Sequence, residues 1–362
     1  MIRVCLLTMI FVTQLSTIEA EGCDSFKNTS VGVIEEYMYR EYLVNGCIEP
    51  EQFRSNDIKW ARIKSDITGI LRLGKNSIRN LPTLERVEIY AKDLQILESK
   101  AFSNLPSLLQ LHIEQTSLEE IQRDVFNLIP NIKEIWLDKN KIDSIAGDAF
   151  SNLESLYLID LSYNELIYWN KEWFANCPNL RVMMFDNNNI PTIPRRAFAA
   201  LPKLKKISFE GNEITTIQPD AFRNLNDLQY LNLDLNRLTV IDEHAFPNNI
   251  YIKHLTINGN HLNYLPNKLL RKMSTGNISM DHNPWKCPCL ERLNYWIYFT
   301  NANLQVRPQC KSPFAPICVV PQVLPGHSQT CQERVDKELT GRYIALLKNL
   351  SEPLLTRCAR LD

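Results

Sequence analysis

An apolar residue recurs every 24 residues through most of the chain, and this period constrains the fold more than any other feature of the sequence. Each recurrence opens a unit in which apolar residues also occupy the fourth and sixth places, and asparagine occupies the ninth place in most units. A phenylalanine follows the same period from Phe102 to Phe246. The chain is therefore built from copies of one unit. The opening positions are Leu84, Leu108, Ile132, Leu156, Leu180, Leu204, Leu228 and Ile252.

The apolar pattern at the start of each unit predicts a short β-strand. Alternating residues such as Leu231 and Leu233 direct two side chains inward and leave the residues between them facing outward. One such strand cannot bury its apolar face alone, so we expect the units to stack into a parallel sheet. The ninth-place asparagine turns inward, where its amide can bond buried backbone groups. The phenylalanines are expected to form a continuous stack in the convex half.

The N-terminal segment predicts secretion. Arg3 precedes an apolar run from Val4 to Val12, and the small residues Ala20 and Gly22 offer a cleavage site. The run is too short to span a membrane, and no later stretch is longer and equally apolar. The C-terminus lacks the hydrophobic tail of a GPI signal. Residues 1–22 are therefore expected to be a signal peptide, and the rest of the chain to be soluble and extracellular.

The repeated units resemble the leucine-rich repeat family in its 24-residue extracellular form. The resemblance implies an α/β fold, a solenoid with a curved parallel β-sheet on its concave face and short helices or loops on its convex face. It also implies disulfide-stapled caps at both ends. The expected organisation is a signal peptide (1–22), an N-terminal cap (23–67), the repeat solenoid (68–283), a C-terminal cysteine cap (284–331) and an amphipathic tail helix (332–362).

Charge and motif content argue against two broad functional classes. The chain has 40 Lys and Arg against 41 Asp and Glu, a balance that does not favour nucleic-acid binding. No HExxH, GxSxG or phosphate-loop motif occurs, so we expect no enzyme, no catalytic residues and no cofactor. His254 and His282 come near the predicted concave face, but two imidazoles without a third ligand do not predict a metal site.

Cysteines gather at the two ends of the chain and predict disulfide-stapled caps. A zinc site at the closely spaced Cys287 and Cys289 is the alternative, which the secretory compartment and the nearby tryptophans disfavour. The expected pairs are Cys23–Cys47, Cys287–Cys310, Cys289–Cys331 and Cys318–Cys358. The family resemblance implies the second and third of these pairs, and the other two are the simplest pairing of the remaining cysteines.

Cys177 stands apart from both clusters, at an inward place that leucine occupies in neighbouring units. A buried free thiol that packs as a small hydrophobe is one interpretation. An intermolecular disulfide is the other, because an odd cysteine in a secreted chain is available for pairing.

The pattern of residues 332–352 predicts an amphipathic helix with an apolar side formed by Leu339, Tyr343, Leu346, Leu347 and Leu350. The helix either packs on the C-terminal cap or serves as a partner helix, as the resemblance to insect immune members of the family suggests. Its length favours packing on the cap, because a stable coiled coil needs more heptads.

Outward strand positions on the concave face are the predicted ligand-binding residues. Asp186, Glu210 and Asp234 occupy the seventh place of consecutive units, with no cation in the adjacent places. Such a column forms a negative groove suited to a cationic patch on a partner, and the alternative is a merely solvated face. Beside it lies an apolar group, which is either an interface or an ordinary scatter of exposed residues. Its members are Trp136, Leu158, Tyr163, Val182, Met184 and Tyr230.

Three sequons predict N-glycosylation, at Asn28, Asn277 and Asn349. Asn277 is expected to project from the last strand toward the concave side. A glycan there would cover the C-terminal end of the groove and leave the middle repeats as the binding region.

These features together predict a secreted, non-enzymatic binding protein that uses the concave face. The resemblance to short secreted leucine-rich repeat proteins of insects implies recognition of an extracellular protein or a microbial surface ligand, in innate immunity. An extracellular signalling or matrix protein, or a ligand trap, is the alternative with the same face.

Overall fold

The computed structural model describes residues 25–65, 72–306, 317–321, 330–349 and 358–359. The predicted signal peptide, Cys23 and Cys310 lie outside these residues.

One sheet of 13 strands runs through the described residues. Neighbouring strands from the third onward are parallel, and within the repeats each residue pairs with the one 24 positions later, as Trp136 does with Asp160. This confirms the predicted parallel sheet and its repeat register. The strands are β1 (Phe26–Glu35), β2 (Met38–Gly46), β3 (Ile58–Ser65), β4 (Arg86–Ala91), β5 (Gln110–Ile113), β6 (Glu134–Trp136), β7 (Leu158–Asp160), β8 (Val182–Met184), β9 (Lys206–Ser208), β10 (Tyr230–Asn232), β11 (Ile250–Thr256), β12 (Met273–Ser279) and β13 (Asn303–Leu304).

The N-terminal end of the sheet is an antiparallel hairpin. Strands β1 and β2 are joined at Glu36 and Tyr37, which both have positive φ angles of 46° and 68°. Such a turn matches the twist of a hairpin. Strand β1 also pairs antiparallel with β3, and β3 pairs parallel with β4. The segment predicted as a cap therefore continues the repeat sheet instead of forming a separate layer.

Of the short helices or loops expected on the convex side, the described residues of the repeats form mainly turns and very short strands. Between Pro194 and Pro202, for example, the chain forms only turns. Seven residues between two prolines are too few to nucleate an α-helix. Two-residue strands pair between successive units at Arg72–Leu73 with Ile96–Leu97, Ile78–Arg79 with Phe102–Ser103, Glu120–Ile121 with Ser144–Ile145, and Thr192–Ile193 with Thr216–Ile217. Short 3₁₀-helices lie at Pro50–Gln52 and Lys171–Phe174.

The predicted asparagine ladder is present and links each unit to the one before it. The amide nitrogen of Asn188 donates to the carbonyl oxygens of Leu161 (2.9 Å) and Phe185 (3.1 Å). Its side-chain oxygen accepts the backbone N–H of Leu166 at 3.0 Å. One buried amide thus bonds backbone groups of its own turn and of the preceding unit. The same bonding recurs at Asn164, Asn212, Asn236, Asn260 and Asn283.

The phenylalanine column is present but is interrupted in its middle. Phe150 stacks on Phe126 and Phe174 at 5.3 and 5.4 Å between ring centroids, and Phe222 stacks in the same way on the rings before and after it. Trp169 lies between the two stacks, 5.9 Å from Phe174 and 5.1 Å from Phe198. The prediction of an uninterrupted column is wrong, because an indole replaces the smaller aliphatic side chain of other units at this place.

Two disulfides join described residues at the C-terminal end, and two predicted pairings are corrected. Cys289 pairs with Cys331, as expected, but Cys287 pairs with Cys318 rather than with Cys310. The backbone N–H of Cys287 donates to the carbonyl of Val319, so the segment that contains Cys318 lies beside Cys287. The expected Cys318–Cys358 bond is excluded for the same reason. Cys47 and Cys358 are each in a separate disulfide bond, and Cys177 is a buried free thiol.

The described part of the C-terminal region contains three helices: α1 (Asn267–Lys272), α2 (Cys287–Phe299) and α3 (Lys337–Asn349). The tail helix α3 is packed on the cap, which was the first of the two alternatives. Tyr343 and Leu347 are buried, and the Asn263 side chain donates to the hydroxyl of Thr340 at 3.1 Å. The side-chain oxygen of Asn263 also accepts the backbone N–H of Asp336. Among the described residues, no helix combines the length and apolarity needed to cross a membrane.

Replacement of Asn188 by alanine should lower the free energy of unfolding by about 1–3 kcal/mol, because buried backbone groups lose their partner. The neighbouring Asn189 is exposed and is the matched control. Denaturant titration of Asn188→Ala and Asn189→Ala should show the loss only in the first variant. Equal denaturation midpoints for the two variants would contradict the stabilising role of the asparagine ladder.

Peptide mapping of the non-reduced protein should find Cys287 linked to Cys318 and Cys289 linked to Cys331. Cys177 should react with an alkylating reagent only in denaturant, because burial raises the pKa of its thiol to about 11 and the thiolate is the reactive form. Labelling of Cys177 in the native protein would overturn its placement in the core.

Candidate binding face

The concave face is formed by the third, fifth and seventh places of each unit, whose side chains leave the sheet on the side opposite the ladder. Because the strands pair in register, equivalent places form rows with about 4.8 Å between neighbours. Such a face presents side chains at fixed spacing and leaves their identity free to vary. The predicted site residues all lie on or beside this face.

Apolar side chains on three neighbouring strands form the centre of the face. Trp136, Leu158, Val182 and Met184 are all partly exposed, and we call them the central patch. Leu158 pairs directly with Val182 on the neighbouring strand. Trp136 and Met184 lie in one row across the strands, with Asp160 between them. The structure therefore brings the predicted apolar residues together, apart from Tyr230, which lies two strands beyond Val182.

Trp136 is held by a stacked partner. Its indole lies almost parallel to the ring of His112, with centroids 5.4 Å apart and planes 7° apart. The indole N–H donates to a carboxylate oxygen of Glu134 at 3.4 Å, and the His112 ring bonds Glu114 at 3.0 Å. Stacking and hydrogen bonding fix the indole before any partner arrives, which reduces the entropy lost on binding.

Tyr163 lies five residues after Leu158 in the same unit and has an unfavourable backbone conformation. The eighth place of each unit from Gln115 to His282 has a positive φ, between 53° and 69°. Gly or Asn adopts this region at least cost, and Asn187 holds the equivalent place in the next unit. Tyr163 has a φ of 57° there and leaves 54% of its side chain exposed. A strained and exposed aromatic residue of this kind is a candidate contact residue.

The acidic column is hydrogen-bonded within the protein. The Oδ1 atom of Asp186 accepts the hydroxyl of Ser208 at 2.5 Å and the backbone N–H of Glu210 at 2.7 Å. Burial raises the pKa of Asp186 to about 6, and the neighbouring carboxylates of Glu210 and Asp160 act in the same direction. Its charge is therefore complete only above that pH.

The other two members of the column are held as well. Asp234 is fully buried and accepts the backbone and side-chain N–H groups of Asn258 at 2.6 and 3.0 Å. Glu210 is partly exposed and accepts the amide of Asn232 at 2.8 Å. This corrects the expectation that all three carboxylates face a partner, since Asp234 is fully buried and only Asp186 and Glu210 are partly exposed.

The sequence contained a signal for these bonds. The seventh-place residues Asp186, Asp234 and Asn258 are each followed by a hydroxyl residue at the fifth place of the next unit, whereas Asp138 is followed there by Asp160. Asn258 repeats the geometry of Asp186, because its Oδ1 accepts the hydroxyl of Ser279 at 2.9 Å and the backbone N–H of Asp281 at 2.7 Å. A seventh-place acid followed by such a residue is therefore a structural acceptor.

Sequence reasoning also missed the N-terminal end of the concave face. Strand β3 was assigned to the cap, but its residues Trp60 and Arg62 lie in the same rows as Arg86 and Glu88 of the first full unit. The alternation of apolar and outward residues in β3, which matches that of the repeats, could have revealed this.

The predicted sequons differ in their surroundings. Asn28 is exposed at the start of the hairpin. The amide of Asn277 lies 3.0 Å from Nδ1 of His254, on the concave side as expected. Asn349 is the last residue of α3.

Within the ranges that the structure covers, no group of three His, Cys, Asp or Glu residues is arranged to hold a metal ion.

Comparison with known families identifies the repeats. The family described as leucine rich repeat matches residues 168–214 and 178–238. A second, described as BspA type leucine rich repeat region, matches residues 47–181. The matches together extend over residues 47–238, more than half of the chain. No curated protein matches the sequence.

Solved structures of other proteins resemble this chain at low sequence identity. The mouse RP105/MD-1 complex contains a chain with a TM-score of 0.53 and 20% identity, matched over 65% of this chain and 40% of that one. A complex of Latrophilin 3, Unc5D and FLRT2 gives 0.49 and 20%, over 65% and 82%. The TLR13–ssRNA13 complex gives 0.48 and 20%, over 56% and 32%. This chain thus spans about a third of the TLR13 chain and two fifths of the chain in the RP105 complex.

Asp186→Asn should stabilise the protein at neutral pH. The pKa of Asp186 is about 6 in the folded protein, above the ordinary value of 3.8. The proton on this carboxyl therefore stabilises the folded state fully below pH 3.8, and this stabilisation is lost as the pH rises through 6. Asparagine imitates the protonated acid and keeps Oδ1 as acceptor, as Asn258 does. Thermal unfolding should show a gain of about 1–3 kcal/mol at neutral pH and almost none in acid. A pH-independent effect would contradict the burial of this carboxyl.

Proposed function

Because the chain belongs to the leucine-rich repeat family, we propose that it is a non-enzymatic binding protein that recognises a protein ligand through its concave face. We further propose that it acts in extracellular fluid, with innate immune recognition as the role that the resemblance to insect proteins suggests. An extracellular signalling or matrix protein, or a ligand trap, uses the same face and is distinguished by the identity of the ligand.

The central patch is the observation that supports this function. Four apolar side chains lie together on three neighbouring strands, at places where the fold does not require apolar residues. Tryptophan and tyrosine on a rigid surface are frequent anchors of protein interfaces, because they bury much area at a low cost in side-chain entropy. Trp136 is the central anchor in this proposal, with Tyr163, Leu158 and Met184 around it.

Charge around the patch favours a partner with cationic groups. Glu114 and Glu134 flank Trp136, and Glu210 lies beyond Met184. Since Asp186 gains its full charge only above about pH 6, the attraction is expected to weaken in acidic medium. Added salt should slow association in the same way.

An extracellular location is supported by the cysteines. The two closed pairs at the C-terminal end are typical of proteins that fold in an oxidising compartment. The RP105 structure, which shares this fold, was solved as a complex with MD-1, so a fold of this type can hold a protein partner in that case.

Trp136→Ala should weaken binding of the ligand by about 2 kcal/mol or more, mainly through faster dissociation, because a desolvated anchor is lost. The ligand is first captured from the source fluid on immobilised wild-type protein and identified by mass spectrometry. Surface plasmon resonance then compares the variants. Thermal unfolding of Trp136→Ala should change little, because the indole does not belong to the core.

Two further variants sharpen this test. Tyr163→Asn should weaken binding but raise the thermal midpoint, since asparagine adopts the positive φ more easily. Lys348→Ala on α3 is the control and should bind like the wild type. The concave site would be refuted if the affinity for the ligand were unchanged by Trp136→Ala and Tyr163→Asn but were lost on deletion of residues 332–362.

A further inference from the structure

A groove of about 650 Å³ lies at the N-terminal end of the concave face, between the hairpin and the central patch. Trp60, Ile34 and Leu109 form its apolar walls, and Arg62 and Arg86 lie beside them. All five side chains are partly exposed. A volume of this size accommodates one or two amino-acid side chains of a partner. We call this feature the N-terminal groove.

One buried carboxylate holds both arginines of the groove. Glu88 is 2% exposed, and its two oxygens accept Nε of Arg62 and a terminal nitrogen of Arg86, each at 2.6 Å. Burial by itself would raise the pKa of Glu88. Hydrogen bonds from Arg62 and Trp60, with the charges of both arginines, outweigh burial and lower that pKa. The carboxylate is therefore ionised and fixes the two guanidinium groups in place.

The guanidinium of Arg62 is further oriented by aromatic rings. It lies 4.6 Å from the ring centre of Trp60 and 6.0 Å from that of Tyr90. Of the guanidinium nitrogens of Arg62, only Nε donates a hydrogen bond to Glu88. Within the described ranges, the two terminal nitrogens of Arg62 donate to no protein group. Two preoriented N–H groups in a planar fork match the two oxygens of a carboxylate.

The remaining charges leave the groove with a cationic excess. Glu88 offsets one of the two arginines, and Lys59 forms an ion pair with Glu85 at 3.3 Å. Glu134 accepts hydrogen bonds from Gln110 and Trp136 on the side of the central patch. Lys133 is exposed at the rim and has no ion pair among the described residues. A ligand that complements this groove therefore carries negative charge.

We propose that the N-terminal groove binds an acidic segment of a protein partner, in which an Asp or Glu side chain pairs with Arg62 and an adjacent apolar side chain lies against Trp60. This inference rests on the proposed binding function of the concave face. It assigns to that face a second contact whose charge is opposite to that of the central patch.

Selection from a phage-displayed library of random linear peptides on the immobilised full-length protein tests the proposal. The recovered peptides should contain Asp or Glu next to an apolar residue, and replacing that acid by its amide should weaken binding at least about tenfold. A selection that recovers no binder, or binders without an acid, would overturn the proposal.

Variants of the protein locate the site. Arg62→Gln should weaken binding of the selected peptide at least about tenfold, whereas Arg123→Gln, at an exposed arginine outside the groove, should leave it unchanged. Lys133→Glu reverses a charge at the rim without touching the Glu88 network and should weaken binding several-fold. Lys141→Glu, in the same unit but outside the groove, is its matched control.

The outcomes separate this inference from the proposed function. Peptide binding that depends on Trp136 and Tyr163 but not on Arg62 or Lys133 would overturn the groove and leave the concave binding function intact. Peptide binding that falls with Arg62→Gln and Lys133→Glu, while Trp136→Ala leaves it unchanged, would support the groove. If Trp136→Ala also leaves binding of the captured ligand unchanged, the central patch is refuted.

Discussion

The buried asparagine amide is the interaction on which the solenoid depends. At every turn the chain removes backbone N–H and carbonyl groups from water, and each would cost free energy without a partner. An amide provides two donors and one acceptor in a small side chain, so Asn188 can bond its own turn and the preceding unit together. This link fixes the distance and register between units. The regular rows of the concave face follow from it.

A second polar ladder on the concave side decides which charges a partner can reach. At the seventh place, Asp186 and Asn258 accept the backbone N–H of the next unit, and their carboxyl or amide is part of the fold. A carboxylate used in this way loses hydration and holds its charge less readily. Recognition is then left to side chains without such a role, among them Trp136 and, in our further proposal, Arg62.

The N-terminal hairpin extends the concave face instead of ending it. Because β3 pairs in parallel with the first full unit, Trp60 and Arg62 continue the rows of the repeats. The face therefore contains two chemically different regions, a cationic and aromatic groove and an apolar patch with acidic neighbours. A partner with matching charges at the same spacing would be bound in one orientation, which is how charge patterns contribute specificity.

The sequence by itself determined the repeat, the strand register, the buried places of residues such as Phe198 and Cys177, and the ladder, because each unit repeats one local pattern and buries the same positions. Only the tertiary structure decided what depends on contacts between distant segments. It paired Cys287 with Cys318, since Val319 bonds the start of α2, and it placed Trp169 between two phenylalanine stacks. It also buried Asp234, because burial depends on which neighbours cover a residue, and no period in the sequence specifies them.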